Sequence, residues 1–283
     1  MNPNRSLPLS VLRAAARQAY GDMRPNLMGA GATSILFAVA AILVVSRISD
    51  GPLQGFGSSS AFGTMLAASC VGGFASLVMM QIGAETYTDR IGGALLRVRI
   101  LPHGPLTWAI GKTLSTVALV AVMQAMILLG AVLFIPIATP ATGTALLCLL
   151  LAALASLACA PLGFFLSVFI RGVYSFMVNT VICLALFVAG CCYPTSALPG
   201  WVQGIQTVLP TYWSGHLTRW ALVGDPYWEI GGSFHPALGF GVLLAWIIIG
   251  FGLVPPVIRR SFRKETIGGL NRTQSTIRSQ TGL

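Results

Sequence analysis

The sequence predicts an all-α membrane protein, and three observations carry that prediction. Of its 283 residues 55% are hydrophobic and only 8% are charged, where soluble domains carry about 25% charged residues. So few charges cannot cover a water-facing surface. Apolar runs recur at roughly the 20 residues needed to cross the hydrocarbon core of a bilayer. The charges that remain are gathered into short stretches between those runs. A net charge of +10 would point to nucleic acid in a soluble chain. Here basic residues at the ends of spans set orientation instead, so no nucleic-acid partner is expected.

The chain opens on a polar, basic leader with no short apolar core closed by a small-residue cleavage site, so a signal peptide is not expected. From Ser10 to Asp22, Val11, Leu12, Ala15 and Ala19 share one helical face while Arg13 and Arg17 take another. This is the pattern of a helix lying in the membrane interface with its cations among lipid headgroups. Arg24-Pro25 is expected to end it. Six runs satisfy the length test: 27–45, 61–82, 113–135, 145–170, 174–192 and 237–258. The chain therefore divides into a cytoplasmic N-terminus with its interfacial helix (1–26), a six-span domain (27–258) and a basic tail (259–283). With the N-terminus inside, nearly every Lys and Arg lies on that side and only Arg47 and Arg219 lie outside, so both termini are expected to be cytoplasmic. The tail is expected to be largely disordered against the anionic inner leaflet.

Two spans carry further detail. In the second, Ser69, Gly72, Gly73 and Ser76 form two small-xxx-small pairs, the spacing that lets helices approach closely, within the chain or across a dimer. After the fifth, Pro194, Pro199 and Pro210 forbid one continuous helix. The intervening Trp201, Val202, Ile205, Val208, Leu209, Tyr212 and Trp213 suggest short helices dipping into the outer leaflet. Non-helical backbone at that depth must be buried in protein or line a wet cavity.

Catalytic chemistry finds no support. His103, His216 and His235 fall in different loops, no carboxylate cluster lies in a span, and the six cysteines have no metal-ligand spacing with histidine. No catalytic residue, bound metal or cofactor is expected on this chain. Ile110-Gly111-Lys112-Thr113 ends like a phosphate-binding loop, but the first glycine of that motif is replaced by Leu106 and a span follows. The strongly polar residues at depth are Gln81, Gln124 and Asn179. With Tyr193 and Trp213 they are the candidate lining of a pathway for an amphipathic molecule.

One stretch stands apart, residues 85–112, reading ETYTDRIGGALLRVRILPHGPLTWAIGK. It places Glu85, Asp89, Arg90, Arg97, Arg99 and Lys112 between two spans and holds a short segment of helical periodicity. The run Gly93 to Pro102, followed by Gly111-Lys112, resembles the cytoplasmic loop of ABC-2 type transporter permeases. In that family an acidic-basic approach leads to Gly-Thr-Leu-Glu-Arg-Leu and then Thr-Pro. Here Asp89-Arg90 is the approach, Ala94 stands for Thr, Leu96 for Glu and Leu101 for Thr. A second match is Tyr193-Pro194 to Leu198-Pro199, then Leu209-Pro210 and Arg219 with Ala221-Leu222, similar to bacterial daunorubicin-type drug-exporter permeases.

That resemblance implies the membrane subunit of an ATP-driven exporter in the bacterial inner membrane, moving a drug, antibiotic or lipid-like molecule. It implies a dimer with a second permease copy or a paralogue, driven by a cytoplasmic ABC ATPase that binds ATP and Mg. Glu85, Asp89, Arg90, Gly93, Arg97, Arg99 and Pro102 would then form the coupling loop seated on that ATPase. The rival reading is a stand-alone carrier or an intramembrane enzyme of lipid metabolism, which would need a buried acid, base or metal cluster of its own.

Overall fold

The computed structural model describes residues 9–28, 62–101, 103–134, 142–170 and 174–264, with scattered positions between 36 and 44 and after 265. Among the described residues every regular element is helical. Five helices are long and apolar enough to cross a membrane: Phe62–Ile91, Gly104–Phe134, Gly143–Phe169, Ser175–Cys192 and Pro236–Arg263. They coincide with the second to sixth runs read from the sequence. The first run, 27–45, lies mostly outside the described residues, as do the connection 47–60 and most of the tail.

Helix α1 (Leu9–Met28) lies along a later span, burying Val11, Ala15 and Ala19, while Leu12 is exposed. Pro25 sits inside α1 rather than ending it. A proline deprives only the carbonyl four residues back of its donor, here that of Gly21, which is exposed and can turn to water. Helices α2 (Phe62–Gly73) and α3 (Leu77–Ile91) form one span joined by a 3-10 turn, Phe74–Ser76. This is the axis of the bundle: 83% of its apolar window is buried, against 22% for the last span. A short helix, α4 (Ala94–Ile100), then precedes α5 (Gly104–Phe134).

Helix α6 (Thr142–Phe169) packs on α3, and α7 (Ser175–Phe187) also lies against α3 before closing in a π-helical turn, Val188–Cys192. The prolines then do what the sequence predicts. Instead of a span they produce two short helices, α8 (Gly200–Val208) and α9 (Pro210–Leu222), with Leu209 extended between them. α8 exposes Trp201, Ile205 and Val208. α9 is buried from Pro210 to Arg219 and packs on α2, α6 and α10 (Pro236–Lys264). The glycine stripe of α2 finds its partner here. A Cβ on Gly72 would strike the Ser214 backbone, and one on Gly73 would strike Cys191. The stripe therefore serves packing within the chain.

Candidate functional site

Residues 85–112 fold into an elbow. Glycines 92 and 93 end α3, and Gly93 takes φ +70°, a left-handed conformation costly to any residue with a Cβ. That turn swings α4 across the end of the bundle. Leu95 is buried beneath it, while Arg97, Arg99, Ile100 and Leu101 are exposed, Ile100 to 83%. Among the described residues Arg97 reaches the Gly92 carbonyl, at 3.5 Å. Pro102 lies outside the described residues.

The charges before the turn point inward and do different work. Lys112 Nζ on α5 lies 3.0 Å from Asp22 Oδ2 on α1, 3.0 Å from Glu85 Oε2 and 3.3 Å from Asp89 Oδ2 on α3. Asp89 Oδ2 also accepts the indole N–H of Trp108 at 2.8 Å, and that ring packs edge-on against Phe164 and Phe262. Gln81 donates to Glu85 Oε1 at 3.3 Å, and Arg90 donates to the Ser167 carbonyl of α6 at 3.2 Å. One lysine thus ties α1, α3 and α5 into a knot behind the exposed face of α4. From the tail, Gln274 donates to the Ile91 carbonyl at the same elbow, at 3.0 Å. The phosphate-loop look-alike at Lys112 is uninterrupted helix.

A second charge centre lies further back along α2–α3. Ser69 and Glu85 are separated by 16 residues, about 24 Å at the rise of a helix. There Arg219 of α9 donates from Nε to Glu229 Oε1 at 2.5 Å and from Nη1 to Ser69 Oγ at 2.9 Å. The other oxygen, Glu229 Oε2, lies 2.5 Å from His216 Nδ1 and accepts the Tyr212 hydroxyl at 2.7 Å. His216 Nε2 accepts the backbone N–H of His235 at 3.1 Å. Arg219, Glu229 and His216 have no exposed surface. Burial alone would raise the Glu229 pKa, but the Arg219 charge and the hydrogen bonds from His216 and Arg219 outweigh it and hold the carboxyl at about 2.

Sequence reasoning missed this network. It set the three histidines in separate loops, whereas the structure brings His216 and the His235 backbone together around a glutamate it had not singled out. The only advance signal was the single basic residue, Arg219, in an otherwise apolar segment.

The five candidate pathway residues do not converge on one cavity. Gln81 belongs to the elbow. Gln124 is fully buried between α2, α5 and α6, donating to the carbonyls of Gly72 and Ala152 and receiving the Ser156 hydroxyl at 3.4 Å. Asn179 packs on Gly83, and its Nδ2 is buried without a hydrogen-bond partner among the described residues. Trp213 is buried, with its indole N–H on the Thr207 carbonyl at 2.8 Å. Tyr193 is exposed at the end of the π-helical turn. A cleft of about 570 Å³ opens instead between Ser196, Gln203, Asp225, Tyr227 and Glu229.

Comparison with protein families gives one finding: a family model described as "ABC-2 family transporter protein" matches residues 10–250. Comparison with curated proteins returned no match.

Proposed function

The chain belongs to the ABC-2 transporter family, as a multi-pass permease component of an ABC transporter rather than an enzyme, and from that premise we propose that it is an exporter permease driven through its 85–112 elbow by a separate cytoplasmic ATPase. The observation that carries the reading is the division of labour within the elbow. Arg97, Arg99, Ile100 and Leu101 offer a mixed basic and apolar face, suited to charge-assisted bonds and a hydrophobic seat on a partner. Behind it, Lys112 ties the flanking helices together, so a push on α4 is delivered to both adjoining spans and to α1. A rigid link to a bistable partner is what alternating access requires.

In this reading both termini and the elbow face the cytoplasm of a bacterial cell, and ATP and Mg are bound by the partner. A second copy or a paralogue completes the dimer. The cargo is an amphipathic drug, antibiotic or lipid-like molecule. Gly93 is the hinge, Arg97 and Arg99 are the contact residues, and Glu85, Asp89 and Arg90 are positioning residues.

One observation favours the rival, a stand-alone carrier: the buried Arg219–Glu229–His216 network is a titratable cluster. Its carboxyl, however, is held far below neutral pH by Arg219, so it keeps its charge instead of exchanging a proton. The test is co-purification of the tagged chain from its own host in detergent. A protein with a nucleotide-binding loop is expected with the wild type and lost with Arg97→Glu. Transport by the chain alone in vesicles, with no such protein attached, would support the carrier instead.

A further inference from the structure

An apolar groove of about 320 Å³ runs between the start of α5 and the end of α10. One wall is Leu106, Ile110 and Leu114, and the other is Phe251 and Pro255. The residues on each wall are spaced by four, so each set forms a stripe along its helix. Continuing the α10 stripe by four more residues reaches Arg259, which lines a smaller recess that shares Leu106, Ala109, Val254 and Pro255 with the groove. Arg259 is exposed, and no carboxylate pairs with it among the described residues. Arg260 and Arg263 lie exposed beside it.

We propose that this groove is a binding site for an anionic phospholipid, with an acyl chain lying between α5 and α10 and the headgroup phosphate on Arg259. Three features choose this occupant. The walls are hydrocarbon apart from Thr113, and Leu114 in the groove and Leu253 beside it are exposed. The one charged group sits at the end of α10, where spans meet headgroups. Its fork of guanidinium donors matches a phosphate oxygen pair, which a zwitterionic lipid screens with its own cation and an anionic one does not. A basic recess between spans at a membrane face is a general headgroup site. The lipid would lie directly behind the elbow, because the α5 wall begins two residues after Gly104. The inference needs only a membrane-spanning chain, so it stands or falls apart from the ATPase partner.

The test is native mass spectrometry of the full-length, delipidated protein titrated with dioleoyl phosphatidylglycerol or dioleoyl phosphatidylcholine. One phosphatidylglycerol should be retained at about tenfold lower concentration than phosphatidylcholine. Arg259→Gln should abolish that preference, and Leu114→Trp, which fills the groove from an exposed position, should lower retention of both lipids. Equal retention of the two lipids in the wild type would overturn the proposal. So would a preference that survives Arg259→Gln. A non-phospholipid amphipath found in the groove of freshly purified protein would assign it to cargo instead and overturn it too.

Discussion

The two buried charge centres of this molecule solve one problem in opposite ways. Around Arg219 the charges are dry and matched: one guanidinium and one carboxylate, with His216, Tyr212 and Ser69 adding hydrogen bonds, and only Arg219 Nη2 left without one among the described residues. Around Lys112 the charges are unequal, one ammonium for three carboxylates, and Asp22 and Asp89 keep part of their surface exposed. A dry matched pair has one good geometry and resists rearrangement, because any partner left behind is an unpaired charge in a low-dielectric site. A lysine among several carboxylates can shift its distances while staying paired, with water covering the excess. The difference separates a fixed anchor, holding α9 to α2, from an adaptable joint where α1, α3 and α5 meet.

The largest effect is expected from breaking the anchor. Glu229→Gln strands Arg219 without exposed surface, and removal of one member of a buried pair costs about 3–5 kcal/mol. Thermal unfolding in detergent should drop sharply. The same pair has a pH signature. Its carboxyl is depressed from 4.5 to about 2 in the folded chain, so its stabilisation is complete above about pH 4.5 and is lost as pH falls toward 2. Wild-type stability should decline across that window, and Glu229→Gln should lack that part of the decline.

Lys112→Met sharpens the contrast from the other side. It leaves three carboxylates facing one another at a partly wet site, with an expected stability cost of about 1–3 kcal/mol. Because Lys112 is a positioning residue for the elbow, its loss should uncouple the partner. Binding of the ATPase should persist while transport-linked ATP hydrolysis falls at least tenfold. Lys112→Arg should restore part of that hydrolysis, a recovery that a general loss of packing would not give. Equal losses of stability and coupling in both variants would erase the distinction between anchor and joint.

How much of this could be read in advance follows from what periodicity can say. Hydropathy over 20-residue windows located the five spans found among the described residues, and the prolines at 194, 199 and 210 announced the break that became α8 and α9. Residues 85–112 stood out by charge alone. Partners across the bundle were beyond reach, because a helical pattern names a face but not what meets it. Asp22 and Lys112 lie ninety residues apart, and nothing in either neighbourhood marks the other. Glu229 meets His216 and Arg219 only because the short turns after α9 fold back, helped by the positive φ of Gly224. Gln124 and Trp213, read from the sequence as lying at depth, are both buried within the bundle. Depth, however, does not distinguish a residue lining a passage from one bridging three helices, and packing decided that for both.

The central claim is that this chain receives its energy at the exposed tip of α4 and nowhere on the opposite, α8-bearing end. A photo-crosslinking amino acid placed at Ile100, and separately at Trp201, tests it most directly, since both side chains are exposed. Illumination in cells should join the Ile100 variant to a nucleotide-binding protein and leave the Trp201 variant free of it. Crosslinking of that protein at Trp201, or none at Ile100 in a transport-competent strain, would contradict the account.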